Sequence, residues 1–294
     1  MDKSILSKLT SLGCSIFKEE LLSKHCSFRI GGPADYFIEI PNEEALSLFL
    51  KTVGNDSFYV LGGGTNVLFS DDGYRGIVIS LTGKLKEIVV NGEEIFCGGG
   101  ALLSSVLNTA LKNNLIGLEF VSGIPGSVGG AVYGNAGLRD KWIDSVIKEV
   151  GVYTDSKKVW LKREQIDFSY RKSSLENSVI SDVCFSLKKT AENDSLATVF
   201  ESVQRRLKTQ PLSFPNAGSI FKNPKGFSVG KLIEEIGLKG VRVGGAQISE
   251  IHGNFIVNIE RAAAKDVLAL ISLIEEKIYK QFSIKLETEI KIIK

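Results

Sequence analysis

Cysteine, histidine and methionine are scarce, at four, two and one in 294 residues. Cys14, Cys26, Cys97 and Cys184 form no CxxC pair, and a chain of this length does not need disulfide staples. Reduced, structural thiols are expected. His25 and His252 lie far apart with no HxxxH spacing, so no metal site is expected. Charge of one sign is also missing: 36 basic residues against 34 acidic ones leave +2, too small a field to indicate nucleic-acid or membrane-surface partners. The N-terminus lacks the continuous apolar run of a signal peptide. The longest uncharged stretch, Phe120 to Leu138, holds Pro125 and six glycines, too many helix breakers for a membrane span. It reads as buried loop or binding site, and the chain as cytoplasmic. Neither GxGxxG nor GxxxxGK followed by Ser or Thr occurs, which disfavours a Rossmann dinucleotide site and a P-loop. There is no tandem repeat, coiled coil or low-complexity tract.

A hydrophobic content of 43% supports sizeable cores, and the length alone predicts about two domains at roughly 150 residues each. Thirty glycines, above the usual share, fall in clusters, and clustered glycine suggests backbone packed against a ligand. Asp35 to Ile40 reads as a strand, Asn42 opens a helix with Ala45, Leu46, Phe49, Leu50 and Val53 at helical spacing, and strands follow at Phe58 to Leu61 and Gly76 to Leu81. Leu85 to Val90 and Glu94 to Cys97 flank an Asn91-Gly92 hairpin signal. Leu103, Val106, Leu107, Ala110 and Leu111 mark a helix, and Val146 to Tyr153, Lys158 to Leu161 and Val179 to Leu187 read as strands. Lys188 to Ser195 reads as a linker. Leu196, Val199, Val203 and Leu207 mark a helix, Gly230 to Ile236 falls within the same unit, Phe255 to Asn258 reads as a strand, and Val267, Leu270, Ile271, Ile274 and Ile278 mark a strong amphipathic helix. A last strand, Ile284 to Ile292, closes the chain. Three units are expected, at 1–82, 83–190 and 191–294, with the final strand packing back on the first.

A strand feeding Gly62-Gly63-Gly64-Thr65-Asn66 presents successive backbone N–H groups, the geometry of a phosphate-binding nest, or simply a tight turn. Ser122-Gly123-Ile124-Pro125-Gly126-Ser127-Val128-Gly129-Gly130-Ala131 spaces glycines so that backbone can approach a large flat ligand, or marks a buried chain crossing. Two such loops suggest one extended ligand such as a dinucleotide.

These loops, with Cys26-Ser27-Phe28-Arg29-Ile30-Gly31-Gly32-Pro33-Ala34, Tyr170-Arg171-Lys172-Ser173, Asn216-Ala217-Gly218-Ser219-Ile220-Phe221-Lys222-Asn223-Pro224, Gly237-Leu238-Lys239-Gly240 and His252-Gly253-Asn254-Phe255-Ile256-Val257-Asn258, resemble in order the motifs of the UDP-N-acetylenolpyruvoylglucosamine reductase (MurB) family. The likeness runs from about His25 to Ile293. It implies an α+β fold: a two-subdomain FAD-binding module of the vanillyl-alcohol-oxidase/PCMH type plus a C-terminal α+β substrate-binding domain. It implies FAD as cofactor, NADPH as co-substrate, reduction of a UDP-sugar enolpyruvyl ether to a lactyl ether in wall synthesis, and a monomer. Gly62, Gly63, Gly64, Thr65 and Asn66, and Ser122, Gly123, Ile124, Pro125, Ser127 and Gly129, would hold the cofactor, with Ile180 and Arg206 beside it. Asn223, Lys239, His252 and Tyr133 would bind substrate.

Reducing a vinyl ether conjugated to a carboxylate needs hydride at one carbon, stabilisation of the developing enolate, and a proton at the other carbon. Arg171 suits the carboxylate, because a permanent planar cation can grip it through two hydrogen bonds. The resemblance makes Ser219 the proton donor, between Gly218 and the positive Lys222. On the last strand, alternation puts Glu287 and Glu289 on one face without distinguishing them, and the resemblance selects Glu289. Leu138 to Lys141 departs from the family's usual residues after Asn135-Ala136-Gly137, and Lys291 stands where an arginine is usual. With Lys208-Thr209-Gln210-Pro211 running directly into Leu212 and no tyrosine-bearing insertion after Leu187, the chain resembles the shorter, second class of the family. Two rival readings are a flavin oxidase acting on an alcohol or sugar, and a flavin or nucleotide-sugar binding protein without catalysis.

Overall fold

A computed structural model describes residues 2–54, 57–138, 141–154, 156–190 and 195–294. The chain divides into two units: the first is Met1–Lys18, Tyr36–Gly63 and Gly76–Gln204, the second Glu19–Asp35, Gly64–Arg75 and Arg205–Lys294. The helices are α1 (Lys3–Ser11), α2 (Glu43–Thr52), α3 (Leu103–Lys112), α4 (Val128–Tyr133), α5 (Ser195–Thr209), α6 (Val229–Glu235) and α7 (Ala264–Phe282).

In the first unit an antiparallel five-stranded sheet runs in the order Lys157–Lys162, Ile147–Thr154, Val179–Ser186, Glu94–Gly98, Ile88–Asn91. The hairpin that Asn91-Gly92 signals forms, one residue on: Asn91 closes the strand opposite Glu94, and Gly92 at φ +63° and Glu93 make the two-residue loop. Its first strand starts at Ile88 and not at Leu85, because Gly83–Lys86 winds into a 3-10 turn that buries Leu85. Leu103, Val106, Leu107 and Ala110 of α3 and Val128, Ala131 and Val132 of α4 share a core with Val150, Val152, Val183 and Phe185 of the sheet. A second core joins Leu9 of α1 to Ala45, Leu46 and Phe49 of α2 and to Ile38, Ile77 and Ile79. Asn42 opens α2 as expected, its Oδ1 accepting from the Ala45 N–H at 2.9 Å. Within the expected linker, Lys188–Lys189 pairs with Leu115–Ile116, while residues 191–194 lie outside the described residues.

In the second unit an antiparallel sheet is ordered Asn216–Ser219, Phe255–Asn258, Ala246–Ile248, Arg242–Val243. Helix α7 packs on it and buries Val267, Leu270, Ile271, Ile274 and Ile278, the residues its periodicity marks. The Asp71 carboxylate accepts from the N–H groups of Ala264 at 2.7 Å and Lys265 at 3.1 Å, satisfying donors in the first turn of that helix. The expected strand Ile284 to Ile292 is shorter than its alternation suggests. Only Lys291–Ile293 forms a ladder, parallel to Val67–Phe69, and Thr288 makes a single bridge to Phe221. The alternation is nonetheless visible in burial, since Ile290 is buried and Glu287 exposed.

Candidate active site

The first unit brings the two glycine-rich loops together. A Cβ on Gly62 would stand 2.4 Å from Ser127 Oγ, and one on Gly63 would stand 2.6 Å from the Cα of Gly126. Behind them, a Cβ on Gly129 would lie 3.0 Å from the carbonyl oxygen of Gly99, and one on Gly99 would lie 2.1 Å from that of Ile180. These side chains are missing because backbone crosses backbone, the alternative that the sequence leaves open beside a ligand. What the loops offer a ligand is N–H groups: Gly62, Gly63 and Gly123 are exposed, and their amides donate to no acceptor among the described residues. Such amides suit a pyrophosphate. Ser122 and Ser127 are buried, their hydroxyls engaged by the Glu119 carbonyl and the α4 N-terminus, where the Gly130 N–H donates at 3.2 Å. Ile124 and Pro125 continue the loop, and Ile180 is buried in its strand.

Arg171 also belongs to this unit. It sits at φ +59° in the turn of the hairpin Phe168–Ser169 with Lys172–Ser173, and its Nη1 donates to the Gly137 carbonyl at 3.2 Å. Its guanidinium lies 5.3 Å over the Tyr170 ring, which in turn meets Trp142 at 5.7 Å. Tyr133 accepts the Ser173 hydroxyl on its carbonyl at 2.8 Å, and burial, then Glu176, pushes its phenol pKa up. In the departure after Asn135-Ala136-Gly137, Leu138 and Lys141 face each other in a short β pair of Gly137–Leu138 with Lys141–Trp142, and residues 139 and 140 lie outside the described residues.

In the second unit Gly64, at φ +62°, packs so closely that a Cβ would lie 2.1 Å from the His25 carbonyl oxygen. Thr65 follows it, half-buried. Asn66 ties this segment to the chain's end: its Nδ2 donates to the Glu289 carbonyl at 3.2 Å, and its carbonyl accepts the Lys291 N–H at 3.0 Å. The stretch after Ser219 is held on both sides. The Glu289 N–H donates to the Ile220 carbonyl at 2.7 Å, and the Lys222 N–H to the Glu287 carbonyl at 2.9 Å. On the other side the Asn254 side chain accepts from the Phe221 N–H at 3.0 Å and donates to the Phe221 carbonyl at 2.8 Å. Ser219 and Glu289 are therefore on neighbouring extended segments.

The two carboxylates that alternation leaves equivalent differ here. Glu287, 73% exposed at its side chain, pairs with Lys222 at 2.5 Å, whereas Glu289 is half-buried. The Lys222 ammonium is thus engaged by Glu287. Three of the four expected substrate residues gather on α6, Tyr133 lying in the first unit: Asn223 Oδ1 accepts the Val229 N–H at 3.0 Å, Lys239 pairs with Glu234 at 3.2 Å, and His252 packs where a Gly230 Cβ would lie 2.9 Å from its Cε1. His252 Nδ1 accepts the Asn254 N–H at 3.2 Å, which places its proton on Nε2, and burial holds its pKa below the ordinary value, with Lys239 adding to the shift. Arg206 is half-buried, and its Nε has no hydrogen-bond partner among the described residues. Desolvation, then Arg205, lowers its pKa, and a buried guanidinium donor of this kind fits an anionic ligand. The residues that sequence reasoning does not single out for the site are Gly99, Asn135 and Asn254. Their signal is a backbone crossing or a buried amide, which no spacing rule exposes.

The profile of the UDP-N-acetylenolpyruvoylglucosamine reductase C-terminal domain matches residues 210–293, and that of an FAD binding domain matches residues 34–159. UDP-N-acetylenolpyruvoylglucosamine reductase 2 of Symbiobacterium thermophilum is 40% identical over 94% of this chain and 92% of its own length. The reductase of Clostridium botulinum is 40% identical over 95% of this chain and 92% of its own. Among solved structures, MurB of Thermus caldophilus superposes with a TM-score of 0.84 at 35% identity, covering 96% of this chain and 99% of that one. A Phl p 4 variant described as a glucose oxidase aligns at a TM-score of 0.50 and 15% identity, covering 64% of this chain and 44% of that one, a likeness of fold alone. The expected α+β fold, an FAD-binding module followed by the C-terminal domain of the reductase, holds. With nearly the whole chain aligned to reductases at such identity, and with both domain profiles in the expected order, the chain belongs to the UDP-N-acetylenolpyruvoylglucosamine reductase family.

Proposed function

We propose that this chain reduces the enolpyruvyl ether of UDP-N-acetylglucosamine to the lactyl ether of UDP-N-acetylmuramate, a step of peptidoglycan precursor synthesis, with FAD bound and NADPH as electron donor. The observation that carries the reading is the pairing of the Ser219 and Glu289 segments through the Glu289 N–H and the Ile220 carbonyl at 2.7 Å, which gives a hydroxyl donor and a half-buried carboxylate a common frame. Bound FAD supplies the hydride chemistry that no side chain can. Gly62 to Asn66 and Ser122 to Gly129 would hold its pyrophosphate and ring on backbone amides, with Ile180 and Arg206 alongside.

The rest falls to side chains. Arg171 grips the enolpyruvyl carboxylate and stabilises charge as the enolate develops, Ser219 gives the proton to the neighbouring carbon, and Glu289 accepts a hydrogen bond that fixes the reacting groups. Asn223, Lys239, His252 and Tyr133 bind the sugar nucleotide, with His252 neutral and donating from Nε2. The division into subdomains 1–82 and 83–190 and a substrate domain 191–294 belongs to this proposal, as do a monomeric state and a cytoplasmic location. No helix among the described residues is long and apolar enough to cross a membrane.

Anaerobic absorbance of the FAD-loaded protein tests the reading. NADPH is expected to bleach the visible flavin band, and the enolpyruvyl sugar nucleotide to restore it. Bleaching without recovery removes the substrate, and protein that cannot take up FAD removes the whole reading.

A further inference from the structure

One buried side chain in the first unit has no part in the chemistry above, yet it touches the segment that carries Arg171. Asn135 follows α4 with its backbone at φ +42° and only 1% of its surface exposed. A left-handed backbone of this kind is tolerated by asparagine or glycine. Glycine, however, could not do what the side chain does. Asn135 Nδ2 donates to the Ser169 carbonyl at 3.1 Å, and its Oδ1 accepts the Asp144 N–H at 3.3 Å. Ser169 is the last residue before the Tyr170-Arg171 turn. Two residues beyond Asn135, the Gly137 carbonyl accepts Arg171 Nη1 at 3.2 Å, and two residues before it the Tyr133 carbonyl accepts the Ser173 hydroxyl at 2.8 Å. The segment 133–137 therefore holds the hairpin at its entry, at its turn and at its exit.

Arg171 itself adopts φ +59°, a conformation that a side chain this large takes only where its surroundings enforce it. We propose that Asn135 is a positioning residue for the reduction: by holding the Ser169 carbonyl it fixes the Tyr170-Arg171 turn, and so fixes where the Arg171 guanidinium meets the substrate carboxylate. The inference rests on the reading of Arg171 given above. Asn135 touches no reacting atom and acts only through that arginine.

A double-mutant cycle on the full-length, FAD-loaded protein tests it, using Asn135→Gly and Arg171→Ala alone and combined. Asn135→Gly keeps the left-handed backbone and removes both hydrogen bonds. It is expected to lower kcat/KM for the enolpyruvyl sugar nucleotide about tenfold or more, while the rate of flavin reduction by NADPH stays within about twofold. Added to Arg171→Ala, it is expected to cost nothing further beyond about twofold, because two residues that act as one are not additive. Losses that multiply in the double variant, or an Asn135→Gly protein as active as the parent, overturn the proposal. An Arg171→Ala protein with unchanged turnover overturns the role of Arg171 instead. If Asn135→Gly fails to fold, Asn135→Asp serves in the same cycle: it keeps the shape and the acceptor for Asp144, and loses the amide donor to Ser169.

Discussion

The side-chain amide of Asn66 donates to the backbone carbonyl of Glu289 across 3.2 Å, and the carbonyl of Asn66 takes the N–H of Lys291. A residue at the end of the first glycine loop thus anchors the segment that carries the proposed catalytic carboxylate, while Glu287, two positions earlier, is turned out to pair with Lys222. An exposed pair of this kind contributes at most about 1 kcal/mol to stability.

The two carboxylates are therefore expected to part company under the same substitution. Glu289→Gln should lower turnover by about a hundredfold, because a neutral amide replaces the charged acceptor that fixes the reacting groups for proton transfer, with flavin reduction by NADPH unchanged. Glu287→Gln should leave kcat within about twofold, since its charge lies at the surface. Steady-state kinetics on both variants decide the matter, and equal losses would show that the difference in exposure between the two carboxylates does not define the site.

Gly64 and Gly92 share nearly the same φ, at +62° and +63°, but not the same surroundings. A Cβ on Gly92 meets nothing within 4 Å, whereas one on Gly64 would lie 2.1 Å from the His25 carbonyl oxygen and 2.8 Å from the Cα of Cys26. Gly92→Ala is expected to cost about 1–2 kcal/mol, the strain of a left-handed alanine. Gly64→Ala should cost roughly 1–3 kcal/mol more through overpacking, and should also weaken FAD retention. Urea unfolding of the two variants, with flavin release monitored in parallel, gives the comparison.

This pair also shows where sequence reasoning reaches and where it stops. Periodicity locates α2, α3 and α7 because burial enforces a repeat that the residues must obey, as Val267, Leu270, Ile271, Ile274 and Ile278 do. The hairpin turn at Gly92 is legible to within one residue because its chemistry is local. The glycines at Gly62 to Gly64 are conspicuous, but their partners at Ser127, Gly126 and His25 are brought up by tertiary packing, so the reason for each cannot be read along the chain. Lys222 fails in the same way: a positive neighbour of Ser219 in sequence has its ammonium on Glu287. Nor does pattern distinguish Glu287 from Glu289, since strand alternation puts both on one face, and their exposure separates them only once the segment is packed.

His252 makes folding stability depend on pH. Burial, aided by the Lys239 charge, depresses its pKa in the folded protein below the ordinary 6.5. The unfolded chain then binds the proton more readily, so this residue leaves stability untouched above about pH 6.5 and lowers it as pH falls from there toward the folded pKa. His252→Gln should remove that part of the acid loss. Melting temperatures of the parent and variant are expected to run parallel above neutrality and to diverge below it, with the parent falling faster; curves that stay parallel down to pH 5 would mean that the imidazole is as free to charge in the folded protein as in the unfolded chain.

Ser219 offers the sharpest separation of the two halves of the reaction. An unperturbed hydroxyl is a weak acid, so its use as a proton donor depends on a fixed position. The framework for that position is present: Asn254 holds Phe221 from one side, Glu289 holds Ile220 from the other, and Gly218 at φ +79° sits at the shift of register inside the strand that ends at Ser219. Ser219→Ala removes only the oxygen from a half-buried site, and stability should change by no more than about 1 kcal/mol. NADPH should therefore still bleach the flavin at the parental rate, because that step needs no proton from this residue. Recovery on adding the enolpyruvyl sugar nucleotide should slow by about a hundredfold to ten-thousandfold, the range for losing a general acid. Stopped-flow traces of the two steps in one experiment make the assignment decisive: slowing of both would place Ser219 in binding or packing, and slowing of neither would move the proton donor to another residue.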